Sequence, residues 1–308
     1  LLMGENIKSS IRTVNPTTGI EEKVFEPMST SQVDQILENA DKAFKSWKKT
    51  SIADGAKIIN KVAEIMQQRK EELSKLATTE MGKLLVESRV EVDICVQIFQ
   101  YYADNAAEFL ADKPLKTPLE SAFISYEPLG TILSIQPWNF PYYQITRSAA
   151  PNLMAGSTMV MKHASNVPQC AKIMEDIFTE AGLPSGVYTN IFLPGSQTDA
   201  LISDKRIKAV AFTGSEPAGS IVASAAGRNI KKSTLELGGS DAFVVLDDAD
   251  LDQAVNTAYF GRLWNAGQVC ISPKRIIVAE SILPQFTEKL LELVKQTKIG
   301  DPMNPETQ

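Results

Sequence analysis

The stretch AVAFTGSEP, residues 209–217, contains the pattern that decides the fold. Its four apolar residues, Ala209–Phe212, predict a short buried strand. The turn Thr213-Gly214-Ser215 then leads into an amphipathic segment, for which we expect a helix over Glu216–Ala226. A strand that passes through a glycine turn straight into a helix is the repeating step of a parallel α/β sheet.

Apolar runs of similar length recur on both sides of this stretch. They lie at Ile132–Ile135, Thr158–Met161, Tyr188–Phe192, Thr234–Leu237 and Ala242–Leu246. Amphipathic segments such as Val167–Ala181 separate several of them. This alternation predicts an α/β fold with a doubly wound parallel sheet and helices on both faces.

The first third of the chain has the spacing of amphipathic helices instead. Thr30 or Ser31 is expected to cap the first helix, and a long helix is expected from Leu84 to about Leu110. The proline-rich segment Lys113–Gly130 cannot continue a helix, so it predicts an extended strand pair that leaves the domain.

Composition narrows the classes of function. The 308 residues are 44% hydrophobic and 22% charged, with a net charge of −6, which argues against a nucleic-acid surface. No apolar run approaches the ~20 residues of a membrane helix. The amino terminus lacks the features of a signal peptide, so a cytoplasmic protein is expected. The chain has one histidine and three cysteines without paired spacing, which excludes histidine-rich metal sites and a disulfide framework.

The remaining candidates for chemistry are a cysteine, a carboxylate and an amide. Cys270 offers a nucleophile, Glu236 a base, and Asn139 a side-chain amide in a turn between two prolines. Taken singly, each has an ordinary structural reading as a buried or turn residue. The three short phrases that contain them are PWNFP at 137–141, LELGG at 235–239 and NAGQVC at 265–270.

In this order the three phrases resemble the aldehyde dehydrogenase superfamily of NAD(P)-dependent enzymes, and most nearly its succinate-semialdehyde dehydrogenase branch. The resemblance implies that the Cys270 thiolate attacks an aldehyde to form a thiohemiacetal. Asn139 and the Cys270 backbone N–H would hold the oxyanion. After hydride transfer, Glu236 would activate the water that hydrolyses the thioester.

The turn Thr213-Gly214-Ser215 suits either a plain helix cap or a pyrophosphate site. A P-loop is a poor reading, because Ser220 stands where that motif needs lysine. The resemblance favours a cofactor turn and implies that Lys162 reaches the adenosine ribose. Ser165 could bind a 2′-phosphate that a glutamate would repel, so NADP is expected, with NAD as the fallback, unless Ser165 only caps the next helix. By the same resemblance the cofactor site also includes Trp138, Leu237 and Gly238.

For substrate recognition, Arg147 in an apolar stretch requires an anion. The resemblance implies a substrate carboxylate, and a structural ion pair is the alternative. Trp264 replaces a second arginine of better-known members, and Arg262 could stand in for it. Trp264 would also suit apolar aldehydes. Ser272 replaces a second cysteine found in some members, so no disulfide gating is expected.

The resemblance divides the chain into parts. Residues 1–117 and 130–233 are expected to form the Rossmann-like dinucleotide-binding domain, 118–129 a bridging arm, and 234–308 an incomplete α/β catalytic domain. Superfamily members continue beyond this point, and the arm suggests a homodimer or homotetramer. The expected function is oxidation of succinate semialdehyde. The alternatives are a broad dehydrogenase for apolar or aromatic aldehydes, a truncated non-catalytic dinucleotide-binding chain, and a thiol esterase.

Overall fold

A computed structural model describes residues 11–119 and 121–308. The prediction that the amino terminus is not a signal peptide concerns residues 1–10, and the predicted bridging arm includes residue 120. Both lie outside the described residues.

Strands and helices alternate along most of the chain. The strands are β1 (Ile11–Val14), β2 (Glu21–Phe25), β3 (Lys113–Pro114), β4 (Phe123–Ile124), β5 (Thr131–Ile135), β6 (Thr158–Lys162), β7 (Tyr188–Asn190), β8 (Ile207–Gly214), β9 (Lys232–Leu237), β10 (Ala242–Val245) and β11 (Arg275–Val278). The helices are α1 (Thr30–Trp47), α2 (Ile52–Gln68), α3 (Lys70–Met81), α4 (Leu85–Phe109), α5 (Pro141–Met154), α6 (Pro168–Glu180), α7 (Thr198–Ser203), α8 (Glu216–Arg228), α9 (Leu251–Leu263) and α10 (Leu283–Gln296).

Five parallel strands form the central sheet, in the order β7-β6-β5-β8-β9. From β5 the chain winds outward through β6 to β7, then returns to place β8 on the other side of β5. The direction of winding therefore reverses between β5 and β8. In open α/β sheets the carboxyl ends of strands at such a reversal leave a crevice where ligands bind.

Helices cover both faces of this sheet, as the alternation predicted. Successive side chains of β6 point to opposite faces. Met159 and Met161 pack into the cluster formed with α2–α6, whereas Val160 packs into the cluster formed with α1, α7 and α8. The prediction of an α/β fold with a doubly wound parallel sheet is confirmed.

The amino-terminal third differs from its prediction in two respects. The cap of α1 is Ser29, earlier than predicted, and it forms a reciprocal capping box with Gln32. The antiparallel hairpin β1–β2 was not predicted at all. Every residue of β2 is at least partly exposed and its sequence, EEKVF, lacks the apolar alternation that marks a strand.

Two smaller sheets lie outside the central one. β3 and β4 form an antiparallel pair within the predicted extended segment. β10 and β11 pair in parallel and pack with α9 and α10 around Val245 and Phe286. The domain boundaries predicted from the resemblance remain predictions. Among the helices of the described residues, none combines the length and apolarity needed to cross a bilayer.

Candidate active site

A cavity of about 340 Å³ opens at the carboxyl ends of β5 and β8, where the winding reverses. Segments distant in sequence meet there: the loop after β5, the turn after β8, the loop after β9 and the loop before β11. The predicted site residues that line it are Trp138, Asn139, Gly214, Ser215, Leu237, Gly238 and Cys270. The structure therefore brings two of the three chemical groups and most of the predicted cofactor residues to one place.

Asn139 is held against the cysteine loop by its own amide. Its Nδ2 donates to the backbone oxygen of Gln268 at 2.8 Å. A carboxamide nitrogen has two hydrogens, so one N–H of Asn139 remains free for another acceptor. In return, Asn265 Nδ2 donates to the Asn139 backbone oxygen at 2.9 Å. The two loops are therefore locked to each other by reciprocal hydrogen bonds.

Cys270 is the accessible thiol of the three. It is partly buried and lines the cavity, whereas Cys95 and Cys170 are fully buried. Burial raises the pKa of both inner thiols well above the usual range, which keeps them protonated and unreactive. The ammonium of Lys274 donates to the Cys270 backbone oxygen at 2.9 Å, which ties down the carboxyl side of this loop.

Glu236 ends up beside Arg147. Arg147 Nη2 lies 3.1 Å from Glu236 Oε1, and the guanidinium lies 5.8 Å from the ring centroid of Tyr143. Glu236 is not among the residues that line the cavity. Its side chain is 52% exposed, so it has room to change rotamer. An ion pair was one of the two alternatives that the sequence allowed for Arg147, and the structure shows this pair. Its carboxylate is Glu236, the predicted base.

The turn after β8 has the features of an anion site and also caps a helix. Ser215 is the N-cap of α8, but its hydroxyl accepts from Ala218 N at a long 3.4 Å. Space around the turn is tight, because a Cβ on Gly214 would lie 2.6 Å from the Phe212 ring. The first N–H groups of a helix, next to a residue too crowded for a side chain, can bind a phosphate through the backbone.

Lys162 is the last residue of β6 and Ser165 follows that strand, at the same edge of the sheet. Lys162 is 8% exposed, its ammonium has no hydrogen-bond partner within residues 11–119 and 121–308, and burial lowers its pKa. An unpartnered ammonium at the strand end fits a ligand rich in oxygen atoms. Ser165 does not cap the next helix, since the N-cap of α6 is Val167 and no side chain bonds there.

Trp264 and Arg262 do not line the cavity around Cys270. Trp264 packs against Phe140 and Phe260, with centroids 5.5 and 6.0 Å apart, and lines a separate cavity of about 510 Å³. Arg262 Nη1 donates to the Gly267 backbone oxygen at 3.2 Å and to Ser272 Oγ at 3.1 Å. The Arg262 guanidinium therefore binds groups of the cysteine loop. It does not take the predicted place beside the substrate.

Some residues of the site were missed at the sequence level. Asn265 is completely buried between the two loops, and Glu87 on α4 accepts from the Asn265 backbone N–H at 2.8 Å. A polar residue inside NAGQVC could have suggested Asn265. Nothing local marks Glu87, which reads as an ordinary first-turn acid of a helix.

The fold and the cavity define an α/β protein with a dinucleotide-type crevice and a cysteine at its edge. The chain belongs to the aldehyde dehydrogenase family, whose family model matches residues 3–308. It is 42% identical over 295 residues to a succinate-semialdehyde dehydrogenase [NADP(+)] of Deinococcus radiodurans, covering 96% of this chain and 62% of that protein. It is 43% identical over 301 residues to the corresponding enzyme of Mycobacterium avium, covering 96% and 64%.

A solved structure agrees with these relatives. The succinic semialdehyde dehydrogenase of Streptococcus pyogenes, in complex with NADP+ as the cofactor, superposes with a TM-score of 0.94 at 44% identity. The match covers 96% of this chain and 66% of that one. The chain thus spans a little under two thirds of the length of the proteins it resembles.

Proposed function

We propose that this chain supports the NADP-dependent oxidation of succinate semialdehyde to succinate. The observation that carries the proposal is the shared cavity, which Cys270 and Asn139 line together with Gly214 and Ser215 of the turn that begins α8. The names of the relatives supply the substrate and the cofactor.

Cys270 is the proposed nucleophile. Glu236 takes the thiol proton through a water molecule, and the thiolate adds to the aldehyde carbon to give a thiohemiacetal. The free N–H of Asn139 and the Cys270 backbone N–H stabilise the oxyanion, each donor being worth ~10²–10³ in rate. Asn139 is suited to this because its other hydrogen already anchors the group to Gln268.

A bound NADP+ would supply the acceptor for the hydride that leaves the carbon attached to Cys270. The residues present fit such a cofactor: the turn at Ser215 would hold the pyrophosphate, Lys162 the ribose, and Ser165 the 2′-phosphate. Trp138, Leu237 and Gly238 line the cavity beside Cys270 and are proposed to contact the cofactor, whereas Lys162 and Ser165 do not line it.

Glu236 is proposed to complete the reaction. The thioester on Cys270 is cleaved by water, and Glu236 accepts a proton from that water as it attacks. For this step the carboxylate has to reach the cavity, so it either leaves Arg147 or shares it. Arg147 carries five N–H donors, enough to hold a substrate carboxylate while it still contacts Glu236.

A second candidate substrate class is apolar or aromatic aldehydes. The observation in its favour is the aromatic group of Trp264, Phe140 and Phe260 beside the active-site loops. Arg262 is engaged within the cysteine loop and does not add a second cation for a carboxylate.

We further propose a homodimer or homotetramer in the cytoplasm. The strands β3 and β4 and their flanks expose a row of large apolar side chains, which suits association with another copy. These are Leu115, Leu119, Phe123, Ile124, Tyr126 and Leu129. The three cysteines are free, as expected in a reducing compartment.

The test is NADPH formation by the purified protein with succinate semialdehyde, compared with pentanal and with NAD+ in place of NADP+. Cys270→Ser is expected to abolish turnover, whereas Ser220→Ala, on the exposed side of α8, should not change it. Faster turnover of pentanal would favour the second candidate. Dinucleotide binding without turnover would indicate a non-catalytic chain, and ester cleavage without cofactor would indicate a thiol esterase.

A further inference from the structure

The loops that contain Asn139 and Cys270 are joined by hydrogen bonds of one buried residue, Asn265. Its Nδ2 donates to the Asn139 backbone oxygen at 2.9 Å and to the Gln268 oxygen at 3.3 Å. The backbone oxygen of Asn265 accepts from Gln268 Nε2 at 3.1 Å. Any movement of Asn265 therefore changes the distance between the oxyanion donor and the thiol.

Asn265 has a backbone conformation that needs outside support. Its φ is +56° and that of Ala266 is +54°, both in the left-handed region. Asparagine tolerates this region, but a residue with an ordinary side chain such as alanine loses roughly 1–2 kcal/mol there. Strain of this kind persists only where surrounding contacts enforce it, and it is concentrated at functional sites.

Glu87 supplies that support from α4. Its Oε1 accepts from the Asn265 backbone N–H at 2.8 Å, although the two residues are 178 positions apart. Its second oxygen is buried without a hydrogen-bond partner within the described residues. Burying a carboxylate with an unpaired oxygen lowers the stability of the fold. The start of a helix does not require a buried acid, because a solvent-exposed acid interacts equally well with the helix dipole.

Glu91 on the same helix, together with Lys83 just before it, holds the other end of the Asn139 loop. Lys83 and Glu91 form a fully buried ion pair. The Lys83 ammonium lies 4.1 Å from the ring centroid of Phe140. Glu91 Oε1 accepts from the N–H groups of Tyr142 at 2.7 Å and Tyr143 at 2.9 Å, at the start of α5. One helix therefore anchors both loops.

We infer that Glu87 is a positioning residue for the proposed reaction: through Asn265 it sets the Asn139 amide against the Cys270 thiol. The catalytic part of the inference rests on the proposed function. The hydrogen bonds from Glu87 to Asn265 and from Asn265 to Asn139, which we call the Glu87 clamp, are a property of the fold. Glu87 touches neither substrate nor cofactor in this assignment.

The test compares Glu87→Ala with Glu87→Gln, whose amide oxygen can still accept from Asn265 N–H. Because misplacement by about 1 Å can cost ~10²-fold, we expect kcat of Glu87→Ala to fall on the order of 10²-fold with KM nearly unchanged. Glu87→Gln should restore most of the rate. Glu64→Ala, which removes an exposed carboxylate paired with Lys61, is the matched control and should behave like the wild type.

Hydrogen exchange across residues 264–270 gives a readout that does not need turnover. Loss of the hydrogen bond from Asn265 N–H should accelerate exchange there by roughly 10–100-fold in Glu87→Ala, and much less in Glu87→Gln, which keeps a neutral acceptor. Should Glu87→Ala fail to fold, Glu87→Asp replaces it, since the shorter side chain cannot reach Asn265.

Three results would overturn the inference: an unchanged kcat in a folded Glu87→Ala protein, unchanged exchange at residues 264–270, or equal losses in the alanine and glutamine variants. If the wild type itself forms no NADPH with any aldehyde, the proposed function fails independently. The hydrogen-exchange measurement then tests by itself whether Glu87 holds residues 264–270 in place.

Discussion

Arg147 Nη2 lies 3.1 Å from Glu236 Oε1, so the residue proposed to bind the substrate carboxylate forms an ion pair with the proposed base. Both residues face a region that solvent reaches, since their side chains are 28% and 52% exposed. The contact can therefore break at little cost. A substrate acid group that takes over Arg147 would release Glu236 for its work on the thioester.

Replacing Arg147 separates these two roles. In Arg147→Gln we expect kcat/KM for succinate semialdehyde to fall roughly 10–100-fold, the effect of losing hydrogen bonds to a charged group. Turnover of pentanal, which has no carboxylate, should change little. Arg228→Gln, which removes an exposed pair with Asp199, is the control. Equal losses for both aldehydes would mean that Arg147 serves only to hold Glu236.

Alkylation should distinguish Cys270 from the other thiols. Cys95 and Cys170 are fully buried and burial raises the pKa of each, whereas Cys270 is partly exposed. Native protein treated with iodoacetamide should therefore be modified at Cys270 alone, as read by intact mass and peptide mapping. Labelling that persists in Cys270→Ser under native conditions would contradict the assignment.

The buried pair Lys83–Glu91 should be costly to break from one side. Glu91→Ala leaves an uncompensated ammonium and removes the acceptor for Tyr142 and Tyr143 at the start of α5. We expect the free energy of unfolding to fall by about 3–5 kcal/mol, measured by urea denaturation. The exposed pair Lys61–Glu64 is the comparison, and Glu64→Ala should cost no more than ~1 kcal/mol.

His163 should make the fold sensitive to acid. Burial lowers its pKa to about 4, and Nδ1 accepts from Ala164 N while Nε2 donates to the Pro141 oxygen. Between pH 6.5 and 4 the unfolded chain binds a proton that the folded chain does not, so the free energy of unfolding falls as pH falls. The full effect is about 3 kcal/mol.

The measurement for His163 is urea denaturation across this pH range, in the wild type and in His163→Gln. The variant cannot titrate, so its stability should decline less steeply between pH 6.5 and 4 by that amount. Parallel curves for the two proteins would show that His163 is protonated in the folded state and that its pKa is not lowered.

Ser165 should govern the choice between the two dinucleotides. In Ser165→Glu we expect a carboxylate to repel the 2′-phosphate and to lower kcat/KM for NADP+ roughly 10–100-fold, with NAD+ affected much less. The ratio of the two cofactor rates is the measurement. Ser220→Ala on α8 serves again as the control. A ratio that stays constant would place the 2′-phosphate elsewhere.

Local pattern was enough to predict most of the central sheet. β5 and β6 lie where short apolar runs were found, because a strand buried on both faces must be largely apolar. The hairpin β1–β2 escaped prediction because its exposed residues do not have to be apolar. Its place in the fold depends on a distant partner: the Thr13 hydroxyl donates to the buried Glu80 on α3.

For the site, the motifs predicted which groups would gather but not what holds them. Cys270 and Asn139 do share a cavity. Trp264 and Arg262, chosen because of their position near the cysteine, are drawn into contacts with Phe140 and Ser272 instead. Proximity in sequence gave no information on the direction of these side chains.

The sequence by itself determined the alternation of strands and helices and the identity of the reactive groups, because both depend on residues that are close along the chain. Only the tertiary structure decided the partners of the polar side chains. Asn139 meets Gln268 across 129 positions, and Glu87 meets Asn265 across 178. Such pairs leave no periodic signal, since they form only after the sheet and the helices around it have packed.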